Sequence, residues 1–258
     1  MSQRKTVDLY RRILKYPPFA TGKRTGYMNI THVTNHGKVV ARAVEYVTSE
    51  DAEKLFCVIY FAQKNKTVKV IPISDDEFGN VIRIDIQIKD IKKIINNHDE
   101  KSIINAINRL QSLDVTYFET AKGKVISQIG IHPLLRYRFI METGSLTLFL
   151  DPIFYESCKE KSLTIDLGKY SSLSPTGKNL YGYISSNSSN SFTENKLIER
   201  MVVSAKRKDK AQGMLKKALM ELKENHIIKN FKIEKKDAVR LINIERQGRK
   251  IISRSGWK

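Results

Sequence analysis

The sequence predicts an α+β fold on two observations. Residues 172–233 read as helix, helix, basic helix and then a short extended return. An upstream stretch ending near residue 131 reads the same way, three amphipathic segments followed by two alternating runs around a Gly-containing turn. The order helix, helix, helix, hairpin therefore occurs twice, and it predicts two tandem winged-helix units, each a helix-turn-helix followed by a β-wing.

In chain order, "TVDLYRRILK" is expected to be a short helix stopped by Pro17 and Pro18, because proline lacks a donor and crowds the turn before it. The runs "YMNITHVT" and "KVVARAVEYV" alternate and meet at Asn35-His36-Gly37, where Asn and Gly tolerate positive φ, so a β-hairpin is expected. His32 and His36 are four apart but fall on strand and turn rather than one helix face. They are expected on the hairpin surface and not as a metal pair. "TSEDAEKLFCVIYFAQKN" carries Thr48 and Asp51 as a capping pair and Ala52, Leu55, Phe56 and Ile59 at helical spacing, the first long helix. The acidic turn "SDDEFGN" leads to the strand "VIRIDIQI" and two further helices, "KDIKKIINN" and "DEKSIINAINRLQSL". The second of these has Asp99 and Glu100 at its start, favourable to the dipole, and an inner side of Ile103, Ile104, Ile107, Leu110 and Leu113.

"VTYFETAKGKVISQIGIH", turning at residues 121–124, is read as the first wing. "RYRFIMETGSLTLFLDPIFYES" reads as a strand pair turning at Thr143-Gly144, after which "CKEKSLTIDLGKYSSL" connects to the second unit. The expected division is residues 1–45 as an arm and hairpin, 46–158 as a first winged-helix domain, and 159–258 as a second.

In the second unit, "FTENKLIERMVV" is a helix with Thr193 as N-cap and Leu197, Ile198 and Met201 facing inward. "SAKRK" supplies the turn into the third helix, expected over residues 207–224. With Leu215 at the centre of the buried stripe, Ala211, Ala218, Leu219 and Leu222 share its face. The opposite face carries Lys206, Asp209, Lys210, Gly213, Lys216 and Lys217. Positions 206–217 hold six Lys/Arg against Asp209 alone, and cations crowded into the N-terminal half of a helix oppose its dipole unless an external anion answers them. Gly213, mid-helix on the outward face, costs about 1 kcal/mol relative to alanine, which close approach to a groove would explain. The outer face of the corresponding upstream helix, Lys101, Asn105, Asn108 and Gln111, is far less cationic, so the two units are expected to have unequal roles.

Composition agrees. The chain of 258 residues has a formal net charge of +19, and from Val203 onward 17 Lys/Arg stand against 6 Asp/Glu, a net of +11 in less than a quarter of the length. Such a concentration points first to a polyanion. No run of 18 apolar residues occurs, the start "MSQRKTVDLY" lacks the apolar region of a signal peptide, and a cytoplasmic protein with no membrane contact is expected. Cys57 and Cys158 have neither metal-ligand spacing nor disulfide density and are read as reduced packing residues. No Walker-type loop, H-E-x-x-H or Cys/His group is present: "PTGKN" and "AKGKV" lack the upstream glycine. The tyrosines at 170, 181 and 183 are read as packing residues, and no catalytic site, metal or cofactor is expected. Phosphate contacts are assigned to Lys206, Arg207, Lys208 and Lys210, base-edge contacts to Gln212, Lys216 and Lys217, close approach to Gly213, and wing contacts to Lys232, Lys235, Lys236 and Arg240.

The stretches "IDLGKYSSLSPTGKNLYGYISSNSSNSFTENKLIERM" and "KAQGMLKKALMELKENHII" resemble the pattern of theta-type plasmid replication initiators, the Rep and TrfA-like class with two winged-helix domains. The family's strand, leucine, Ser/Pro start and Leu-Tyr helix look like Ile165 and Leu167, then Leu173, Ser174 and Pro175, then Leu180 and Tyr181. "LKKALMEL", from Leu215 to Leu222, matches the helix that lies in the major groove of origin repeats in that family. The likeness spans about residues 80–245 and is strongest in the last hundred. It implies a sequence-specific double-stranded DNA-binding initiator of plasmid replication, acting on direct repeats of an origin and recruiting the host replication initiator and helicase. It further implies that the second unit makes most groove contacts, that the first contacts backbone or forms a homodimer, and that dimers repress a promoter or limit copy number. The alternative is a winged-helix transcription regulator without a replication role. A nuclease or relaxase is disfavoured by the missing histidine and metal clusters, and an RNA-binding protein by the lack of an RNP-like aromatic motif.

Overall fold

The computed structural model describes residues 5–21, 26–34, 36–64, 69–72, 80–95, 99–121, 124–160, 162–202, 208–236 and 239–247. The acidic turn at 74–79 and the basic turn at 203–207 lie outside these residues. The chain begins with a strand, β1 (Thr6–Tyr10), and a short helix, α1 (Arg11–Lys15), where a single helix was expected. The prolines do end α1, but Val7 and Leu9 alternate inward on a strand whose pairing partner comes from far along the chain. A ten-residue pattern cannot announce such a partner.

β2 (Met28–Thr34) and β3 (Gly37–Ala43) form the expected antiparallel hairpin. Gly37 is required at its turn: φ is 148°, and a Cβ there would run into the Phe118 carbonyl oxygen. α2 (Ser49–Lys64) starts with the expected reciprocal cap, Thr48 N donating to Asp51 Oδ2 at 2.8 Å and Asp51 N to Thr48 Oγ1 at 3.3 Å. It buries Ala52, Leu55, Phe56 and Ile59. β4 (Lys69–Pro72), β5 (Asn80–Gln87), α3 (Ile88–Ile95) and α4 (Glu100–Gln111) follow, the last capped by Asp99, whose side chain accepts from Lys101 N at 3.0 Å. Arg109 of α4 donates twice to Asp51, at 3.0 and 2.7 Å, clamping the end of α4 to the start of α2.

Next come β6 (Asp114–Ala121), β7 (Lys124–Ile131), β8 (Leu134–Ile140) and β9 (Ser145–Leu150). α5 (Pro152–Glu160), expected as the end of a strand and the start of a connection, is a helix: Asp151 Oδ1 accepts from Ile153 N and Phe154 N, Pro152 sits in the first turn, and Phe154, Tyr155 and Cys158 are buried. The Asp-Pro pair was the available signal. β10 (Ser162–Asp166) pairs antiparallel with β1, Leu9 opposite Leu163. The chain ends in α6 (Leu167–Ser171), α7 (Pro175–Ser186), β11 (Ser191–Thr193), α8 (Glu194–Met201), α9 (Lys208–Glu224), β12 (Ile228–Lys236) and β13 (Val239–Arg246).

One strand order recurs. β11, β13 and β12 lie side by side in that order, and so do β5, β9 and β8, with β4 added at the edge. In each case the strand before the second helix pairs with the last strand of the hairpin after the third helix, which is winged-helix topology. The helices are α2, α3 and α4 in the first set and α7, α8 and α9 in the second. The first wing is thus β8–β9, and the assignment of residues 115–132 as a wing is corrected. β6 and β7 instead extend the N-terminal hairpin into a sheet ordered β2-β3-β6-β7, because Tyr117 and Val115 stand opposite Val39 and Ala41 and share their buried side.

The apolar core is continuous through both sets. Phe56 of α2 packs edge-on to Tyr170 of α6 with centroids 5.1 Å apart, and Phe19 and Tyr181 extend the stack. Lys178 of α7, the lysine of "PTGKN", is buried against Glu53 of α2 at 2.7 Å. Cys57 and Cys158 are free and buried, and burial pushes both thiols up, Cys158 to about 12. His32 is not on the surface, being 2% exposed: Nε2 donates to the Pro17 carbonyl at 2.9 Å. Arg200 of α8, fully buried, donates to the Val33 carbonyl at 3.1 Å and ties α8 to the hairpin, while His32 shares the inward side of β2 with Met28 and Ile30.

Candidate nucleic-acid interface

α8 begins at Thr193, whose side chain accepts from Lys196 N at 3.3 Å, and buries Leu197 and Met201. It ends at Val202 with φ 54°, a conformation a β-branched residue rarely adopts. Here Thr21 Oγ1 donates to the Val202 carbonyl at 3.0 Å, holding the corner from outside the helices. Lys206 and Arg207 lie outside the described residues.

α9 buries Ala211, Leu215, Ala218, Leu219 and Leu222. Its other face exposes Lys208, Lys210, Gly213, Lys216 and Lys217, and none of these four lysines forms an ion pair with a described residue. A Cβ added to Gly213 would meet nothing within 4 Å, so packing within the chain does not call for glycine there. Gln212 is half-buried and donates Nε2 to Glu194 Oε2 at 2.6 Å. That amide is therefore engaged inside the protein rather than offered outright to a base edge.

On the wing, Lys235 is exposed and stands directly opposite Arg240. Arg240 Nη1 pairs with Glu194 Oε1 at 3.2 Å. Lys232 pairs with Glu234 at 2.7 Å, which raises the lysine pKa and holds the carboxyl below its usual range. Lys236 closes the ladder opposite Val239, and its side chain lies outside the described residues. The structure thus brings Lys208, Lys210, Lys216 and Lys217 together on one helix face and sets Lys232, Lys235 and Arg240 on the adjoining hairpin.

The corresponding face of α4 exposes Lys101, Asn105, Asn108 and Gln111. Two of these are tied to the first wing: Tyr137 OH donates to Asn108 Oδ1 at 2.5 Å, and Gln111 Nε2 donates to the Leu135 carbonyl at 3.2 Å. β8 adds Arg136, stacked over Phe149 at 4.5 Å, and exposed Arg138. The residue sequence reasoning passed over is Glu194. Following an N-cap threonine, it reads as an ordinary first-turn acid, and only the fold shows it 4% exposed between two helices and the wing. Among the described residues no three His, Cys, Asp or Glu side chains gather as a metal site, and no helix is long and apolar enough to cross a membrane.

No protein-family model matches the chain, and no curated protein is significantly similar to it. Solved structures are similar. A crystal structure of domains 2 and 3 of RctB superposes with a TM-score of 0.62 at 12% identity, covering 92% of this chain and 98% of that one. A second crystal structure of RctB domains 2–3 gives 0.56 at 13% identity, covering 91% and 96%. The Pi initiator protein in complex with iteron DNA gives 0.54 at 12% identity, covering 96% and 100%. Over nearly its whole length, then, the chain has the α+β winged-helix fold of these solved structures.

Proposed function

We propose that this chain is a sequence-specific double-stranded DNA-binding initiator of plasmid replication. The observation that carries this reading is the outer face of α9, where Lys208, Lys210, Lys216 and Lys217 are exposed with no ion-pair partner among the described residues, around a glycine that no described neighbour requires. A row of like charges on a rigid helix raises the free energy of the isolated protein, and phosphates entering from a duplex lower it. The solved neighbour crystallised with iteron DNA supports the choice of partner.

In this reading α9 enters the major groove. Lys216 and Lys217 face base edges, Lys208 and Lys210 sit on phosphates with Lys206 and Arg207 beside them, and Lys232, Lys235, Lys236 and Arg240 follow the flanking backbone. The unit from about residue 159 onward makes the main contacts. The unit at 46–158 adds weaker backbone contacts through α4 and β8, or joins a second copy in a homodimer that limits initiation. Recruitment of the host replication initiator and helicase, in the cytoplasm, completes the proposed role.

Footprinting with the purified protein on DNA flanking its reading frame tests the proposal. Tandem protected repeats are expected. Protection of a lone palindrome at a promoter would replace the initiator by a transcription regulator, and absence of protection would defeat both.

A further inference from the structure

Glu194 opens α8 and is almost fully buried, yet each of its carboxylate oxygens serves a different element. Oε2 accepts from Gln212 on α9 at 2.6 Å and Oε1 pairs with Arg240 on β13 at 3.2 Å. One anion thus ties α8 to α9 and to the wing. Arg240 also stands across the ladder from Lys235, and like charges directly opposite are unfavourable unless an anion lies beside them. Glu194 supplies that anion from the inner side. The Arg240 side chain remains 43% exposed, so its outer edge stays open toward the surface where Lys235 lies.

We propose that Glu194 is a positioning residue of the DNA interface. It sets the distance and angle between α9 and the wing before a duplex arrives, and it orients Gln212 and Arg240 without touching DNA itself. This rests on the DNA-binding reading above. The chemistry requires a carboxylate, since both partners are donors: a Gln in its place has one acceptor oxygen and would turn an NH2 group toward one of them. Uncoupling either partner leaves the cationic surface in place but lets helix and wing move independently, so recognition of a particular sequence suffers while general attraction to phosphate persists.

The probe is a duplex that the wild-type protein selects from a randomised 25-base-pair pool, compared with a scrambled duplex of the same composition. For Glu194→Gln, affinity for the selected duplex is expected to fall about tenfold, comparable to one lost base contact. Affinity for the scrambled duplex should stay within about twofold, because phosphate contacts alone govern non-specific binding. In an Arg240→Ala background the same substitution should cost clearly less than it does alone, as coupled neighbours do not add. Thermal unfolding of every variant identifies a fold defect, and a variant that unfolds cooperatively like wild type yet keeps full selectivity would overturn the proposal. Equal loss on both duplexes, or strict additivity with Arg240→Ala, would overturn it too. Failure of the wild-type protein to select any sequence would instead defeat the DNA-binding reading on which it stands.

Discussion

Gly213 and Glu199 show how single positions carry separable burdens. Gly213 lies inside α9 with open space where a Cβ would be, so Gly213→Ala is expected to stabilise the protein by about 0.5–1 kcal/mol through helix propensity and a less disordered unfolded chain. If a groove wall comes close at that point, the added methyl should weaken DNA binding at the same time. Thermal melts and duplex titrations on one preparation would check both signs, and a stabilised variant with unchanged affinity would remove close approach as the reason for the glycine. Glu199 lies 3.9 Å from His32 Nδ1, beyond hydrogen-bond range, and 3.1 Å from Arg200. His32, then Arg200 and Lys196, hold its carboxyl below the usual range against the opposing pull of burial. A carboxyl whose pKa is lower folded than unfolded contributes stability above its unfolded pKa and loses it as pH falls through the folded value. Glu199→Gln should therefore be less stable than wild type at pH 7, with the gap in urea midpoint closing as pH is brought well below about 4. A gap that persists undiminished in acid would show that Glu199 acts by shape alone.

Among the elements, the contact between α2 and α7 joins the two winged-helix sets, and its centre is the buried pair Glu53–Lys178. Removing one partner strands a charge in the core, so Lys178→Ala is expected to cost about 3–5 kcal/mol in chemical denaturation. The double replacement Glu53→Leu with Lys178→Met, which removes both charges and keeps the volume, should recover most of that loss. If the double variant proved as unstable as the single one, the role of the pair would lie in geometry that apolar packing cannot reproduce. The elements themselves were legible to different degrees. α2, α4, α8 and α9 could be placed because each combines a capping residue, Thr48, Asp99 or Thr193 for the first three, or an apolar stripe of helical period with a contrasting outer face. β1 escaped because five residues of mixed pattern become strand only when β10 is beside them. α5 escaped because its apolar residues continue those of β9, and only the Asp151-Pro152 pair marks the break.

For the whole molecule, net charge and its placement set the expected response to salt. Each phosphate contact removed lowers the slope of log affinity against log salt by about 0.9. Lys208→Ala with Lys210→Ala should weaken binding and lower that slope by about 1 to 2, measured by fluorescence titration from low to moderate salt. An unchanged slope would move the interface away from α9. The sequence by itself determined the helices α2, α4, α8 and α9, which sides of them are apolar, and that the excess positive charge gathers on one late helix and hairpin, since period and composition are properties of neighbouring residues. The tertiary structure alone decided that β8–β9 rather than β6–β7 is the first wing, that His32 and Arg200 are buried together, and that Glu194 spans α8, α9 and β13. The physical reason is that a pattern of alternation or period states how much of a segment is buried, whereas the partner that buries it comes from residues far along the chain.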